Sequence, residues 1–368
     1  MSILTRAASP RAGGQPPGDA GGEVAPDQLS IGRRLRQPRT IVSIALPLLL
    51  LVLFLQALPG FRLEELPQRI LAANPALLAV AFLVYYLGFP LRGARWSLIL
   101  RGAGNTIRVR DATEIIFLSW LVNCLVPAKL GDLYRAYLLK INSPVSLSRT
   151  FGTVFIERVL DLFAIVLFGL ASAFVSFRTG LPTEIQLVFA AGIGVVVVLA
   201  VGLLTLRNFG RRVLERLPLP GRILEFYDRF EEGVFGSVDR GMLPVLGLLT
   251  ASIWATEALR LYFVVAALQL PGVHIGLSGA FFVALAGSLM TAVPFTPAGL
   301  VVVEGVLFGI LTIIYGVPVG SAVAITLVDR AISVVSIIAL GSIAYAVSGK
   351  RRGEGIPVGS AGEPEPAA

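Results

Sequence analysis

Long apolar stretches recur along this chain and leave it few ways to fold. After a first run from Ile41 to Leu58, stretches near 76–100, 151–177, 186–206, 243–268 and 319–347 each approach or exceed the length that crosses a bilayer core, about 17–25 residues. In lipid every backbone polar group must find its partner inside the protein, which leaves helices or closed barrels, and runs of this length fit helices. Composition agrees. Of 368 residues 55% are hydrophobic and 15% charged, and mean hydropathy is +0.80, whereas soluble domains carry roughly 25% charge. The expected fold is an all-α polytopic membrane protein with about six full spans.

Little in the sequence points elsewhere. Residues 1–40 and 348–368 are rich in Gly, Pro and Ala without apolar periodicity and read as disordered tails. The run at 41–58 starts too far from Met1 for a secretory signal and reads as an uncleaved span. One cysteine, Cys124, and one histidine, His274, make no disulfide and no His/Cys metal cluster, so neither a metal nor another cofactor is expected. The net charge of +8 sits in loops beside the apolar runs, where basic residues meet lipid headgroups, so nucleic acid is not an expected partner.

Two further apolar regions, 112–139 and 277–315, are interrupted by Val126-Pro127-Ala128-Lys129-Leu130-Gly131 and by Val293-Pro294-Phe295-Thr296-Pro297-Ala298-Gly299. Proline removes a helix hydrogen bond, so Pro127, Gly131, Pro294, Pro297 and Gly299 mark either re-entrant hairpins or simple kinks. The positive-inside rule favours hairpins. Arg101, Arg108 and Arg110 precede the first broken region, and Lys140 and Arg149 follow it. Only a hairpin keeps both groups in the cytoplasm. The same accounting places the basic linker 207–241 and Lys350-Arg351-Arg352 inside, puts both termini in the cytoplasm of a cell-membrane protein, and opens the second broken region outward. The halves, about 76–206 and 243–347, then form an inverted repeat.

The spans also carry Glu157, Arg158, Asp161, Glu257, Arg260, Glu304, Asp329 and Arg330. At about 2.5–3.5 kcal/mol each, their unpaired cost is roughly 20 kcal/mol, so they are expected to face inward. Glu157 and Asp161, Arg158 and Asp161, and Glu257 and Arg260 share helix faces, which suggests intrahelical pairing. Two readings stay open: structural pairs between helices, or a polar cavity for a ligand. Arginines suit a phosphate because the guanidinium fork binds it at two points. Asn123, Lys129, Asp132 and Arg135 form the densest polar stretch, the last three spaced to share one helical face as an anion site or as an interfacial helix. Thr296 and its neighbours offer a hydroxyl and backbone groups to a headgroup. Arg92 and Arg95 sit near the inner end of a span and read as snorkelling cations, with Arg95 also a candidate phosphate contact.

These motifs, from Asn123…Pro127…Gly131-Asp132…Arg135 through Glu157-Arg158…Asp161 and Pro294-x-Thr296-Pro297-x-Gly299…Glu304 to Asp329-Arg330, resemble the flippase-like membrane domain of the lysylphosphatidylglycerol synthase family. The resemblance covers most of 41–347 and implies movement of a modified phospholipid across the bilayer. Only about 20 residues follow the last span, so the expectation is a free-standing domain without the aminoacyl-transfer part. Pro297-Ala298-Gly299 stands where Pro-Gly-Gly is expected. The resulting expectation is a non-enzymatic lipid flippase or scramblase with no catalytic residues. Its headgroup contacts would be Asn123, Lys129, Asp132, Arg135, Arg158, Arg260, Thr296 and Arg330. Its partners would be membrane lipids and a separate lipid-synthesising enzyme. The alternatives are a membrane glycosyl- or phosphotransferase, for which Glu64-Glu65 is a thin candidate, and a non-catalytic subunit of a lipid-modifying enzyme.

Overall fold

The computed structural model describes residues 66–126, 129–177, 183–205, 209–216, 220–291 and 296–353, with isolated positions 49, 52, 53, 56 and 64 before them. Apart from those positions, the apolar run 41–58 and the tail 1–40 lie outside the described residues, as do Glu65, Pro127, Pro294 and everything after 353. Every regular element described is helical: α1 (Leu66–Leu71), α2 (Pro75–Gly102), α3 (Val109–Leu125), α4 (Leu130–Asn142), α5 (Leu147–Ser176), α6 (Thr183–Thr205), α7 (Arg211–Glu215), α8 (Gly221–Phe235), α9 (Leu243–Leu268), α10 (Leu277–Met290), α11 (Val302–Gly309), α12 (Val319–Arg330) and α13 (Ser336–Val347). A π turn at Ile310–Ile314 extends α11, and another at Ala331–Val335 joins α12 to α13.

Five segments are long and apolar enough to cross a membrane: Pro75–Gly102, Leu147–Ser176, Arg240–Leu268, Pro297–Ile314 and Val319–Val347. α2 starts cleanly because Asn74 accepts from the amides of Ala76 and Leu77, and Pro75 occupies the first helical position where no donor is missed. It packs antiparallel to α9. The Asn74 amide donates to the Ala267 carbonyl at 2.8 Å at one end, and Gly102 abuts the Ser237 backbone at the other. These contacts define two faces of the bundle.

Both broken regions are hairpins. α3 has 17 residues and α4 has 13, about 26 and 20 Å of helix against a core of about 30 Å, so neither arm crosses alone. The start of α3 and the end of α4 meet the same residue: Lys350 pairs with Asp111 at 2.8 Å, and its carbonyl accepts from Asn142 at 2.6 Å. The arms therefore leave and return to the face that holds Gly102 and Lys350. In the second region Gly279, near the start of α10, lies against Tyr315 beyond α11, and Gly287 lies against Leu307. This hairpin follows the end of α9 and leads to α12, whose start meets Arg69. Its base thus lies on the opposite face. Although Pro297–Ile314 passes a length test, Ala298 (φ 52°) and Val301 (φ 74°) break it, and the continuous helix starts at Val302.

Two expectations, on Ser348–Gly353 and on Lys129, need correction here. Ser348 to Gly353 belongs to the fold rather than to a disordered tail, since Ser348 donates to Glu114 at 2.5 Å and Lys350 clamps the first hairpin. The linker helix α8 packs by one face on α5, where Gly152 of α5 and Gly233 of α8 allow a backbone crossing too close for any side chain. Lys129, with φ 51°, caps α4 from outside and so does not share its face with Asp132 and Arg135.

Tight turning at the first hairpin depends on Gly131, whose Cβ, if added, would overlap the Ser119 carbonyl and the Asn123 side chain. Gly131→Ala is expected to destabilise the protein by about 1–3 kcal/mol, visible as a lower melting temperature in detergent. Gly247→Ala, with open space around it, should leave melting within the error of the measurement.

Candidate functional site

All the intramembrane charges singled out in the sequence converge between the hairpins, but their main partners are on other helices. In the first half, Arg95 of α2 donates to Asp161 at 2.6 and 3.1 Å, to Glu157 at 2.8 Å and to Thr250 of α9 at 3.1 Å. Glu157 takes a second arginine, Arg135, at 2.7 Å, whose guanidinium also stacks on Trp96 at 3.8 Å. Arg158 grips Asp132 at two points, 2.7 and 3.0 Å, and approaches Asp161 at 3.6 Å. The Trp254 indole N–H donates to Asp161 at 3.2 Å.

The second half repeats this pattern. Arg260 of α9 grips Asp329 at 2.7 and 3.1 Å and pairs with Glu257. Glu257 takes a second arginine, Arg92, at 2.7 Å. Arg330 donates to Glu304 and to the Ala298 carbonyl, both at 2.6 Å. Asp132 and Arg158 are 26 residues apart, and so are Glu304 and Arg330. Asp132 and Glu304, Glu157 and Asp329, and Arg158 and Arg330 each differ by 172 in number. A carboxylate at the tip of each hairpin therefore meets an arginine on the span that follows it.

Intrahelical pairing, the sequence expectation, occurs between Arg158 and Asp161 and between Arg260 and Glu257. It is the lesser part, because two-point guanidinium geometry needs a facing helix rather than the next turn. Arg92 and Arg95 do not snorkel. They are 6% and 1% exposed, one turn apart on the side of α2 that packs against α9 and α5. Arg95 is filled by carboxylates and is absent from the cavity wall described next.

That cavity, of about 170 Å3, is lined from both halves. It is room for a small headgroup or roughly ten water molecules. Its wall includes Asn123, Lys129, Arg158, Arg260, Thr296 and Arg330 among the expected contacts, with Asp161, Glu257, Asp329 and Gly299. Asp132, Arg135, Glu157 and Glu304 stand behind it as partners of other charges. Two expected contacts are already engaged: the Asn123 side-chain Oδ1 accepts from the Gly131 amide at 2.8 Å, and the Thr296 hydroxyl donates to the Leu300 carbonyl at 3.0 Å. Sequence reasoning missed Tyr85, Trp120, Cys124, Trp254 and Ser333 in the wall. The one available signal was the tryptophans, whose N–H needs a partner when buried.

The wall's arginines all have carboxylate partners, whereas Lys129 has no carboxylate within 4.0 Å among the described residues. One Arg92 nitrogen, Nη1, is also buried without a hydrogen-bond partner. Seven cations (Arg92, Arg95, Lys129, Arg135, Arg158, Arg260, Arg330) face six carboxylates (Asp132, Glu157, Asp161, Glu257, Glu304, Asp329), which leaves one positive charge in excess beside the cavity.

An all-α bundle with two opposed helical hairpins around a charged cavity defines a polytopic membrane protein with a polar site inside the apolar layer. The chain belongs to the family described as the lysylphosphatidylglycerol synthase TM region, which matches residues 40–341. A UPF0104 membrane protein of Methanocaldococcus jannaschii is 38% identical over 226 residues, covering 61% of this chain and 92% of the relative. A UPF0104 membrane protein of Methanothermobacter thermautotrophicus is 27% identical over 303 residues, covering 75% and 86%. The glycosyltransferase AglD of Haloferax volcanii is 29% identical over 345 residues, covering 83% of this chain but 54% of AglD, so the chain spans about half of that relative.

Arg95→Met strands Glu157 and Asp161 with one arginine fewer and is expected to cost about 3–5 kcal/mol. Thermal or denaturant unfolding in detergent measures this, and a loss below about 1 kcal/mol would contradict the pairing.

Proposed function

We propose that the protein is a lipid flippase or scramblase, in which a phospholipid or polyprenyl-linked headgroup passes through the cavity while its tails stay in the bilayer. The observation that carries this reading is the excess positive charge at Lys129 in a cavity walled by both hairpins. An ammonium inside the bundle with no carboxylate in contact favours an anion, and a headgroup phosphate supplies one. The paired arginines add donors without adding net charge, so a phosphate that enters can be passed along the wall. Membership in a family described by a lipid synthase's membrane region supports a lipid as the cargo. In this reading the basic face is cytoplasmic, the protein sits in the cell membrane, and a lipid-synthesising enzyme delivers the substrate.

The AglD relationship favours a second reading, a transferase acting on a lipid carrier. Acid–base or metal-assisted transfer needs a carboxylate free to take a proton or a cation. Asp161, Glu257 and Asp329 in the wall are each held by arginine, which weighs against this reading for the described site.

Lipid translocation in proteoliposomes, with fluorescent phospholipid and polyprenyl-phosphate probes, tests the proposal. Lys129→Met removes a charge that makes no ion pair within 4.0 Å among the described residues, so it should slow translocation roughly tenfold or more while shifting the melting temperature little. Translocation unchanged in this variant, or absent in the folded parent for every probe, would overturn it.

A further inference from the structure

We propose that the pairs Asp132–Arg158 and Glu304–Arg330 are two gates that open the same cavity to opposite faces of the membrane. This rests on the reading of the cavity as a headgroup passage. Each pair ties the tip of one hairpin to the span that follows it, with the same 26-residue separation. The first hairpin has its base on the face of Lys350, and the second has its base on the face of Arg69. The inner arms are short, and both tips border the cavity: Lys129 and Asn123 at the first, Thr296, Ala298 and Gly299 at the second. Each hairpin thus lies between the cavity and the face that holds its base, and its tip pair fastens it to the following span, in the first hairpin together with the Arg135–Glu157 pair.

The two fastenings differ in strength of enclosure. Arg158 has a side-chain exposure of 35% and Arg330 of 13%, and Arg330 also holds the Ala298 carbonyl. Ala298 takes φ 52° and Val301 φ 74°, backbone conformations that side-chain-bearing residues avoid. The first tip holds Lys129 in the same region, at φ 51°, and in the second Arg330 adds a hold on the Ala298 carbonyl. The two pairs share no residue, so one can break while the other stays formed. That is what a passage needs if it is never to be open through both faces at once.

Cys124 supplies a reporter already in place. It is the chain's sole cysteine, 8% exposed, and its side chain belongs to the cavity wall. A membrane-impermeant maleimide applied to sealed vesicles of either orientation reads access to the cavity from each face. With both pairs formed, the parent should label slowly from both. Asp132→Asn should raise labelling roughly tenfold from the face of Lys350 alone, and Glu304→Gln from the face of Arg69 alone. The milder Arg158→Lys and Arg330→Lys keep every charge and lose only the two-point contact, so smaller increases from the same respective faces carry the result if a neutralised variant does not fold. Increases from one common face, or none in any folded variant, would overturn the gates. Translocation lost while labelling stays side-specific would remove the lipid reading and leave the gates standing.

Discussion

A charge inside a low-dielectric layer must have an opposite charge within hydrogen-bond reach, and this requirement organises the bundle. Unpaired, the intramembrane charges would cost more than a domain's entire stability. Paired between helices, they cost far less and also specify which helices are neighbours. Arg95 draws α2 to α5 and, through Thr250, to α9. Arg260 draws α9 to α12. Association of apolar helices in lipid has no hydrophobic driving force, so packing of small residues and such polar contacts take its place. The glycines at the α5–α8 and α2 crossings supply the first, and the arginines supply the second.

The two halves solve the same problem twice. In each, a carboxylate directly before an arginine on a long span (Glu157-Arg158, Asp329-Arg330) turns one charge toward a neighbouring span and the other toward a hairpin tip. Adjacent residues on a helix point about 100° apart, which lets one dipeptide serve two partners. The hairpins have their bases on opposite faces, and the cavity falls between them. Broken helices at the midplane are tolerated only where protein or a water-filled cavity covers the freed backbone. Here the Gly131 amide finds Asn123 and the Ala298 carbonyl finds Arg330.

Helix identity and the bounds of the spans near 76–100, 151–177, 243–268 and 319–347 were legible in the sequence because hydropathy and length carry them directly. The hairpins were legible only through charge distribution: basic residues on both sides of 112–139 required the chain to return to its starting face. Partner choice was not. Arg92 and Arg95 lie near a helix end where a long cation can reach headgroups, and nothing local distinguishes that fate from burial against α5 and α9. Lys129, Asp132 and Arg135 have helical spacing, but the turn before α4 puts Lys129 outside the helix, in a left-handed conformation that spacing cannot reveal. Asn123 and Thr296 have headgroup-binding chemistry, yet each is used to close its own hairpin or turn.

Native mass spectrometry of the purified protein tests the central claim, a phosphate-holding site at the meeting of the two halves, most directly. The parent is expected to keep a phosphate-bearing lipid at a stoichiometry near one, and Lys129→Met, equally folded, to lose it. A parent that carries no such lipid, or a variant that retains it unchanged, would contradict the account.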